Sequence, residues 1–340
     1  MGDGDVAQAT LGAASKAPVF IVGCGRSGTS LLYHTLVSSG GFAEFRTQLN
    51  AFDVLGPSYG DLSRLKNRRK MMKVWLASKA FRISGLDAGQ IEARILEECR
   101  STVDFERIVF EEVARKQNVG RWADSTPNNI HHMEQIKRGL PDAQFVHIIR
   151  DGRNVALSID GRGWSRPFFW ERHMGLMAAG LYWKWTIKRG REYARNLGPD
   201  YLEIFYEDLV TRPRETYGKL SSFLKYDLDY ERIQRTAVGA VKNPSTTFRK
   251  ELDEGHFDPL GRWKKALNKE QVILLESLVG DMLKNLGYSL ATPESELDHN
   301  FRTKRMRALY PMLYDFKQWL KRNTTVTRFF VDYDAILIDK

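Results

Sequence analysis

The stretch Pro18–Leu32, PVFIVGCGRSGTSLL, decides how the rest of the chain is read. Its first part, Val19 to Val22, has the β-branched and aromatic content of a short buried strand. Gly23, Gly25 and Gly28 follow, interleaved with Cys24, Arg26, Ser27, Thr29 and Ser30. Leu31, Leu32, Thr35, Leu36 and Val37 then recur at helical spacing. Strand, glycine loop and helix in that order build an anion site. The glycines let backbone N–H groups converge, and the helix N-terminus adds partial positive charge.

Three ligands compete for such a loop. Gly23, Gly25 and Gly28 spell G-x-G-x-x-G, the dinucleotide pattern, which wants an acidic residue after a second strand, and Glu44 is the nearest. Gly23 to Ser30 also fits the phosphate loop G-x-x-x-x-G-K-[ST], except that Thr29 stands where the lysine belongs. A nucleoside triphosphatase without that lysine lacks its main cation for the β- and γ-phosphates. The cation here is Arg26, inside the loop. Taken together, Gly25, Arg26, Ser27, Gly28, Thr29 and Ser30 resemble the 5′-phosphosulfate loop of sulfotransferases that use 3′-phosphoadenylyl sulfate (PAPS), although Cys24-Gly25 replace the proline often found before the arginine.

A second motif strengthens the resemblance. Phe145 to Ile149 reads as a strand and is followed at once by Arg150-Asp151-Gly152-Arg153, with Ser158 further on. Physically, a terminal phosphate is well met by the planar fork of an arginine. The pattern R-D-x-R-x-x-x-x-S resembles the 3′-phosphate motif of the same family, which assigns Arg150 and Ser158 to that phosphate. Gly261-Arg262-Trp263-Lys264 resembles the family's late G-x-W-K segment. Arg262 is then expected at the 3′-phosphate and Trp263 against adenine, with a core position for Trp263 as the competing reading. Tyr206-Glu207-Asp208-Leu209-Val210 resembles a family segment read as structural.

The fold implied is α/β: a parallel sheet flanked by helices, of the phosphate-loop-like sulfotransferase type. The elements agree, because strand and helix alternate along the chain. A second strand is expected over Phe42 to Phe45, helices over Ile91–Cys99, Val103–Lys116, Glu171–Asn196, Arg214–Leu224 and Asn268–Asn285, and a strand over Tyr201–Phe205. Residues 1–17 read as a disordered tail, 18–290 as the catalytic domain, and 291–340 as a basic, partly helical extension that packs back on it. A polar loop is expected from Asn243 to Lys264. The basic run Lys66 to Lys70 reads as a solvated helix face, or as a rim that attracts an anionic acceptor.

Composition narrows the class. The 340-residue chain is 42% hydrophobic and 28% charged, ordinary for a globular protein, and carries a net charge of +10. That charge suits an anionic ligand, but no zinc spacing or RNA-binding aromatic motif accompanies it, so nucleic acid is not the expected partner. The two cysteines, Cys24 and Cys99, form no disulfide framework. With no signal-peptide pattern and no apolar run of membrane-spanning length, a cytoplasmic enzyme is expected.

The resemblance implies transfer of a sulfuryl group from PAPS to a hydroxyl or amine, releasing adenosine 3′,5′-bisphosphate, with no metal. Two rivals stay open on the residues alone: a kinase-like phosphotransferase on the same architecture, and a nucleotide- or nucleic-acid-binding module without turnover. The catalytic set expected is Arg26 with a base to take the acceptor proton. The glutamate often found after the second strand is missing, since that place reads Arg46-Thr47-Gln48. Glu44 and Asp124 are the candidates, Asp124 because Trp122 to Pro127 resembles the family's D-K-T-P segment with Ser125 in place of lysine. His34 and Asp53 come next, and His131 and His132 read as surface residues. The acceptor is not legible.

Overall fold

The computed structural model describes residues 16–165, 167–242 and 260–324. Four parallel strands form the centre: β1 (Val19–Val22), β2 (Ala123–Asp124), β3 (Gln144–Ile149) and β4 (Tyr201–Phe205), in the order β2-β1-β3-β4. Val19 to Val22 pair with Gln144 to His147, and Phe145 to Ile149 pair with Tyr201 to Phe205. Every residue of β1 and β3 is buried, which is why both read as unbroken runs rather than alternating ones. The chain leaves β1 toward β2 on one side and leaves β3 toward β4 on the other. The crevice between β1 and β3 is therefore a topological switch point, the place where such sheets bind ligands.

Helices fill the connections. α1 (Thr29–Ser38) follows the glycine loop, and α2 (Leu65–Ala77), α3 (Ala88–Glu98) and α4 (Thr102–Lys116) lead to β2. α5 (Met133–Gly139) precedes β3, and α6 (Gly152–Asp160) and α7 (Gly175–Ala194) precede β4. Then come α8 (Tyr206–Thr211), α9 (Pro213–Leu224), α10 (Tyr230–Thr236), α11 (Arg262–Ala266), α12 (Lys269–Asn285) and α13 (Phe301–Asn323). Their starts follow local chemistry: Asp87, Ser101 and Asp151 accept backbone N–H bonds at the N-caps, and Asn268 with Gln271 closes a capping box before α12. One side of the sheet packs Val19, Ile21 and Val146 against Leu32, Leu36 and Leu220. Elsewhere Phe20 and Phe145 meet Phe105 and Phe110 of α4, and Ile149 joins Trp183 of α7, Leu275 of α12 and Tyr310 of α13.

Three expectations change here. Phe42 to Phe45 makes a single parallel bridge to Arg121 instead of a strand. Side chains occupy the backbone groups a strand neighbour would use: the Tyr33 hydroxyl bonds both Phe45 N and Phe45 O, and Gln117 accepts from Glu44 N. The long helix expected from Glu171 starts at Gly175, after a 3₁₀ segment Phe169–Met174 whose Glu171 leaves the helical region. Within the basic run, Arg68 is buried and donates to the carbonyls of Leu62, Ser63 and Leu96, so this residue is structural.

α13 lies against α7. Tyr314 OH donates to Ala178 O at 2.8 Å, Trp185 Nε1 to Asp315 at 2.9 Å, and Arg189 pairs with Asp315 at 2.6 Å. Residues 1–15 of the expected tail, 243–259 of the expected loop and 325–340 of the expected extension lie outside the described residues. Among those described, no helix is long and apolar enough to cross a membrane.

Candidate active site

A cavity of about 820 Å³ opens where β1 and β3 end. The glycine loop supplies Gly25, Arg26, Gly28, Thr29 and Ser30 to its wall, and the turn after β3 supplies Arg150, Asn154 and Ser158. Two glycines are required by close approach. A Cβ on Gly23 would stand 2.6 Å from Ile148 O, and one on Gly28 (φ 103°) would stand 2.5 Å from the Tyr206 ring. Arg26 is a non-glycine residue with φ 72°, a left-handed conformation that the surrounding loop must hold in place. α1 starts directly at the cavity with no side-chain cap and no acid in its first turn, so its positive end faces the space undiminished.

The two motifs touch each other. Arg26 Nε donates to Ser158 Oγ at 3.0 Å, and Arg150 Nη1 reaches the Arg26 carbonyl at 3.4 Å. The Arg150 guanidinium lies 4.0 Å over the Tyr206 ring, and Trp183 Nε1 donates to the Arg150 carbonyl at 3.1 Å. Arg262 reaches the same cavity from α11. Burial pulls the Arg26 pKa down, and the like charges of Arg162, Arg150 and Arg262 pull it further. Arg150 is also held below its usual range, by burial first. Such crowding of cations is relieved by an anion. Ser27 lies behind the loop, fully buried, and its hydroxyl has no partner among the described residues.

The neighbouring charges of the second motif are structural. Arg153 is buried and bonded to both Asp151 oxygens, to Glu276 at 2.6 Å and to Ser289 O at 3.0 Å. Glu207 accepts from Asp151 N at 3.0 Å and from the Tyr288 hydroxyl, which fixes the turn that aims Arg150. Trp263, read either against adenine or as a core residue, is 4% exposed beneath Arg153, 3.9 Å from its guanidinium, and does not line the cavity. Its backbone N–H meets Asn154 Oδ1, so it braces a lining residue rather than lining the cavity itself.

Other lining residues come from separated parts of the chain. Tyr206, in the segment read as structural, is one; Leu31, Leu209, Tyr217, Tyr230 and Val241 line the cavity with it. Ile159, Trp164, Ala178, Tyr182, Tyr314 and Lys317 also contribute. Asn128 joins them, fixed by donating to Asp53 Oδ2 at 2.6 Å and accepting from Tyr182 OH at 3.4 Å. Asp53 is buried, bonded to His132 at 3.0 Å and paired with Lys321 of α13 at 3.3 Å, and its pKa lies far below the usual carboxylate range. His131 and His132, expected at the surface, are both buried.

The two base candidates are not brought to the cavity. Glu44 lies outside its lining, partly exposed and paired with Arg46. Asp124 is 1% exposed and turned inward, accepting from Thr126 Oγ1 at 2.9 Å and Asn129 Nδ2 at 2.5 Å. It also shares a hydrogen bond with buried Glu106. Burial pushes the Asp124 carboxyl up to about 6 and Glu106 well above its ordinary value, so this acid pair retains a proton in the core. Among the described residues that line the cavity there is no carboxylate and no imidazole.

The architecture has known counterparts. The sulfotransferase domain from the Synechococcus PCC 7002 olefin synthase superimposes with a TM-score of 0.53 at 17% identity, covering 82% of this chain and 98% of that one. The sulfotransferase domain from the Curacin biosynthetic pathway gives a TM-score of 0.51 at 14% identity, over 82% of this chain and 100% of that one. No curated protein sequence matches. The sequence model described as the sulfotransferase family matches residues 18–230, which include the glycine loop, the Arg150 turn and Tyr206. The chain belongs to the sulfotransferase family.

Proposed function

We propose that this sulfotransferase draws its sulfuryl group from PAPS and passes it to a hydroxyl or amine acceptor within the 820 Å³ cavity. The observation that carries the reading is the convergence of Arg26, Arg150 and Arg262 on one space whose described lining holds no carboxylate. That donor set fits a ligand with two anionic ends. The open position at Gly25, where a Cβ would meet nothing within 4 Å, leaves room for it against the loop backbone. When bound, PAPS supplies the sulfuryl group and departs as adenosine 3′,5′-bisphosphate.

The residues divide the work. Arg26 and the N–H groups from Gly25 to Ser30 hold the 5′-phosphosulfate, and Arg26 stabilises charge that develops on the leaving oxygen. Ser158 sets the Arg26 fork through their 3.0 Å bond and offers its own proton to the 3′-phosphate beside Arg150 and Arg262. The apolar side chains of Leu31, Leu209 and Val241 wall the purine. Residues 18–290 make up the catalytic domain, and α13 of the extension completes the cavity wall through Tyr314 and Lys317.

Titration calorimetry in EDTA tests the donor. A contact to a charged phosphate contributes on the order of 1.5–3 kcal/mol, so adenosine 3′,5′-bisphosphate should bind ~10- to 100-fold more tightly than adenosine 5′-monophosphate. Replacing Arg150 and Ser158 together with alanine should bring the two affinities close. Equal affinities in the unaltered protein would remove the assignment of the 3′-phosphate site. A magnesium-dependent preference for ATP would favour the kinase-like rival instead.

A further inference from the structure

α13 presents two apolar faces where one would suffice to pack it. Thr303, Met306, Tyr310, Tyr314 and Gln318 recur at helical spacing and are buried against the body of the protein. On the opposite side Leu309, Met312, Phe316 and Trp319 recur at intervals of three and four residues and are 36%, 66%, 56% and 55% exposed. Phe316 and Trp319 stack on each other at 6.2 Å. A solvated helix face usually carries charged and polar residues, so a second apolar stripe marks a surface that meets something.

The neighbouring segment extends the patch. Phe169 and Trp170 are 75% and 51% exposed. They are held beside α13 because Glu171 accepts from Arg305 at 2.5 Å and from the Tyr310 hydroxyl at 3.1 Å, while Phe168 meets the Tyr310 ring at 4.9 Å. Charge selects the occupant. α13 carries seven lysines and arginines against one acid, Asp315, which Arg189 and Trp185 engage; Arg305 and Lys321 are paired with Glu171 and Asp53, and the helix stays net positive. Exposed Lys304 and Arg322 flank the stripe, Arg322 while also donating to the His131 carbonyl. A helix with exposed Trp, Phe and Leu bordered by basic side chains has the composition of one that lies in the plane of an anionic membrane surface.

We propose that the outer face of α13, with Phe169 and Trp170, docks this protein on an anionic lipid bilayer. Tyr314 and Lys317 of the same helix line the cavity, so docking sets the cavity wall beside the lipid surface. The aromatic rings enter the headgroup boundary, and the flanking cations meet the lipid phosphates.

Sedimentation with phosphatidylcholine vesicles, with and without phosphatidylglycerol, tests this on the full chain. Binding should be at least about tenfold stronger with phosphatidylglycerol and should weaken as salt is raised. The triple variant Met312→Ser, Phe316→Ser, Trp319→Ser should lose vesicle binding while still binding adenosine 3′,5′-bisphosphate, which reports an intact fold. The apolar variant Met312→Leu, Phe316→Leu, Trp319→Phe should keep vesicle binding. Failure of the full chain to sediment with anionic vesicles overturns the proposal, as does equal sedimentation of the serine variant. A dimer in solution that the serine variant dissociates, with no vesicle binding, would assign the face to a second copy of the chain.

Discussion

The loop-and-turn side of the cavity and the rest of its lining are built in opposite ways. On the first, two contiguous motifs at the ends of adjacent strands supply almost every polar group, and they bond each other directly through Arg26 and Ser158. The rest of the lining gathers Asn128, Tyr182, Tyr314 and Lys317 from three distant parts of the chain and fixes Asn128 through buried Asp53. A shared chemical task at the donor end demands a local arrangement, since backbone amides converge on an anion only if consecutive residues turn together. The remaining surface has no such constraint, so any element that reaches the cavity can supply it.

This contrast sets the order of expected effects. Arg26→Ala removes the cation within the loop, and by analogy with loss of one preorganised donor it should cost about 2.7–4 kcal/mol in the transition state, a ~100-fold or greater fall in turnover. Steady-state kinetics of a folded Arg26→Ala protein checks it; near-normal turnover would dissolve the distinction between the two sides. Asn128→Ala acts on the other side, where we place the acceptor because the arginines of the first side take the donor's anionic ends. It should raise the acceptor KM roughly 3- to 10-fold, the scale of one hydrogen bond, and leave bisphosphate affinity unchanged. If bisphosphate affinity falls instead, Asn128 belongs to the donor end.

A smaller effect concerns stability. The raised pKa values of Asp124 and Glu106 mean that the folded protein holds protons the unfolded chain would release. That contribution is fully present below the ordinary carboxylate values; the Asp124 share is lost as pH rises through about 6, and the Glu106 share only as pH rises through its own raised value. The pair therefore lowers the melting temperature across that interval, against buried Asp53 and His131, whose lowered pKa values act with the opposite sign, so its effect is read as the difference from a Glu106→Gln variant. Glu106→Gln, whose amide can donate to Asp124 without titrating, should remove that lowering. An unchanged slope would show that the pair does not share a proton. Glu44→Gln should have the least effect, leaving turnover within about twofold, as expected of a partly exposed surface charge away from the cavity. A large loss there would restore Glu44 as the base.

How far the sequence could be read follows the same division. The strand–glycine loop–helix unit, β3 with its Arg150 turn, and the starts of α4 and α12 are set by neighbours in sequence, so periodicity and capping residues disclose them. The bridge at Phe42 escaped because Tyr33 and Gln117, remote from any strand pattern, take the backbone groups of Phe45 and Glu44. The motif left Trp263 open between adenine and the core, and packing under Arg153 is what its position shows. Tyr206 was legible as a motif residue but not as a wall of the cavity, because its contact with Arg150 spans two strands.

By itself, then, the sequence determined a parallel α/β sheet, an anion loop with its own cation, and a second arginine site at the end of another strand. Each is encoded by consecutive residues whose backbone geometry makes the chemistry. Only the tertiary structure decided that Asp124 points into the core toward Glu106, that Asn128 rather than Asp53 meets the cavity, and that α13 supplies Tyr314 and Lys317. Those outcomes depend on which way a side chain faces once strands are in register and helices packed. A shift of one residue along a strand or helix redirects it, and no local pattern records that choice.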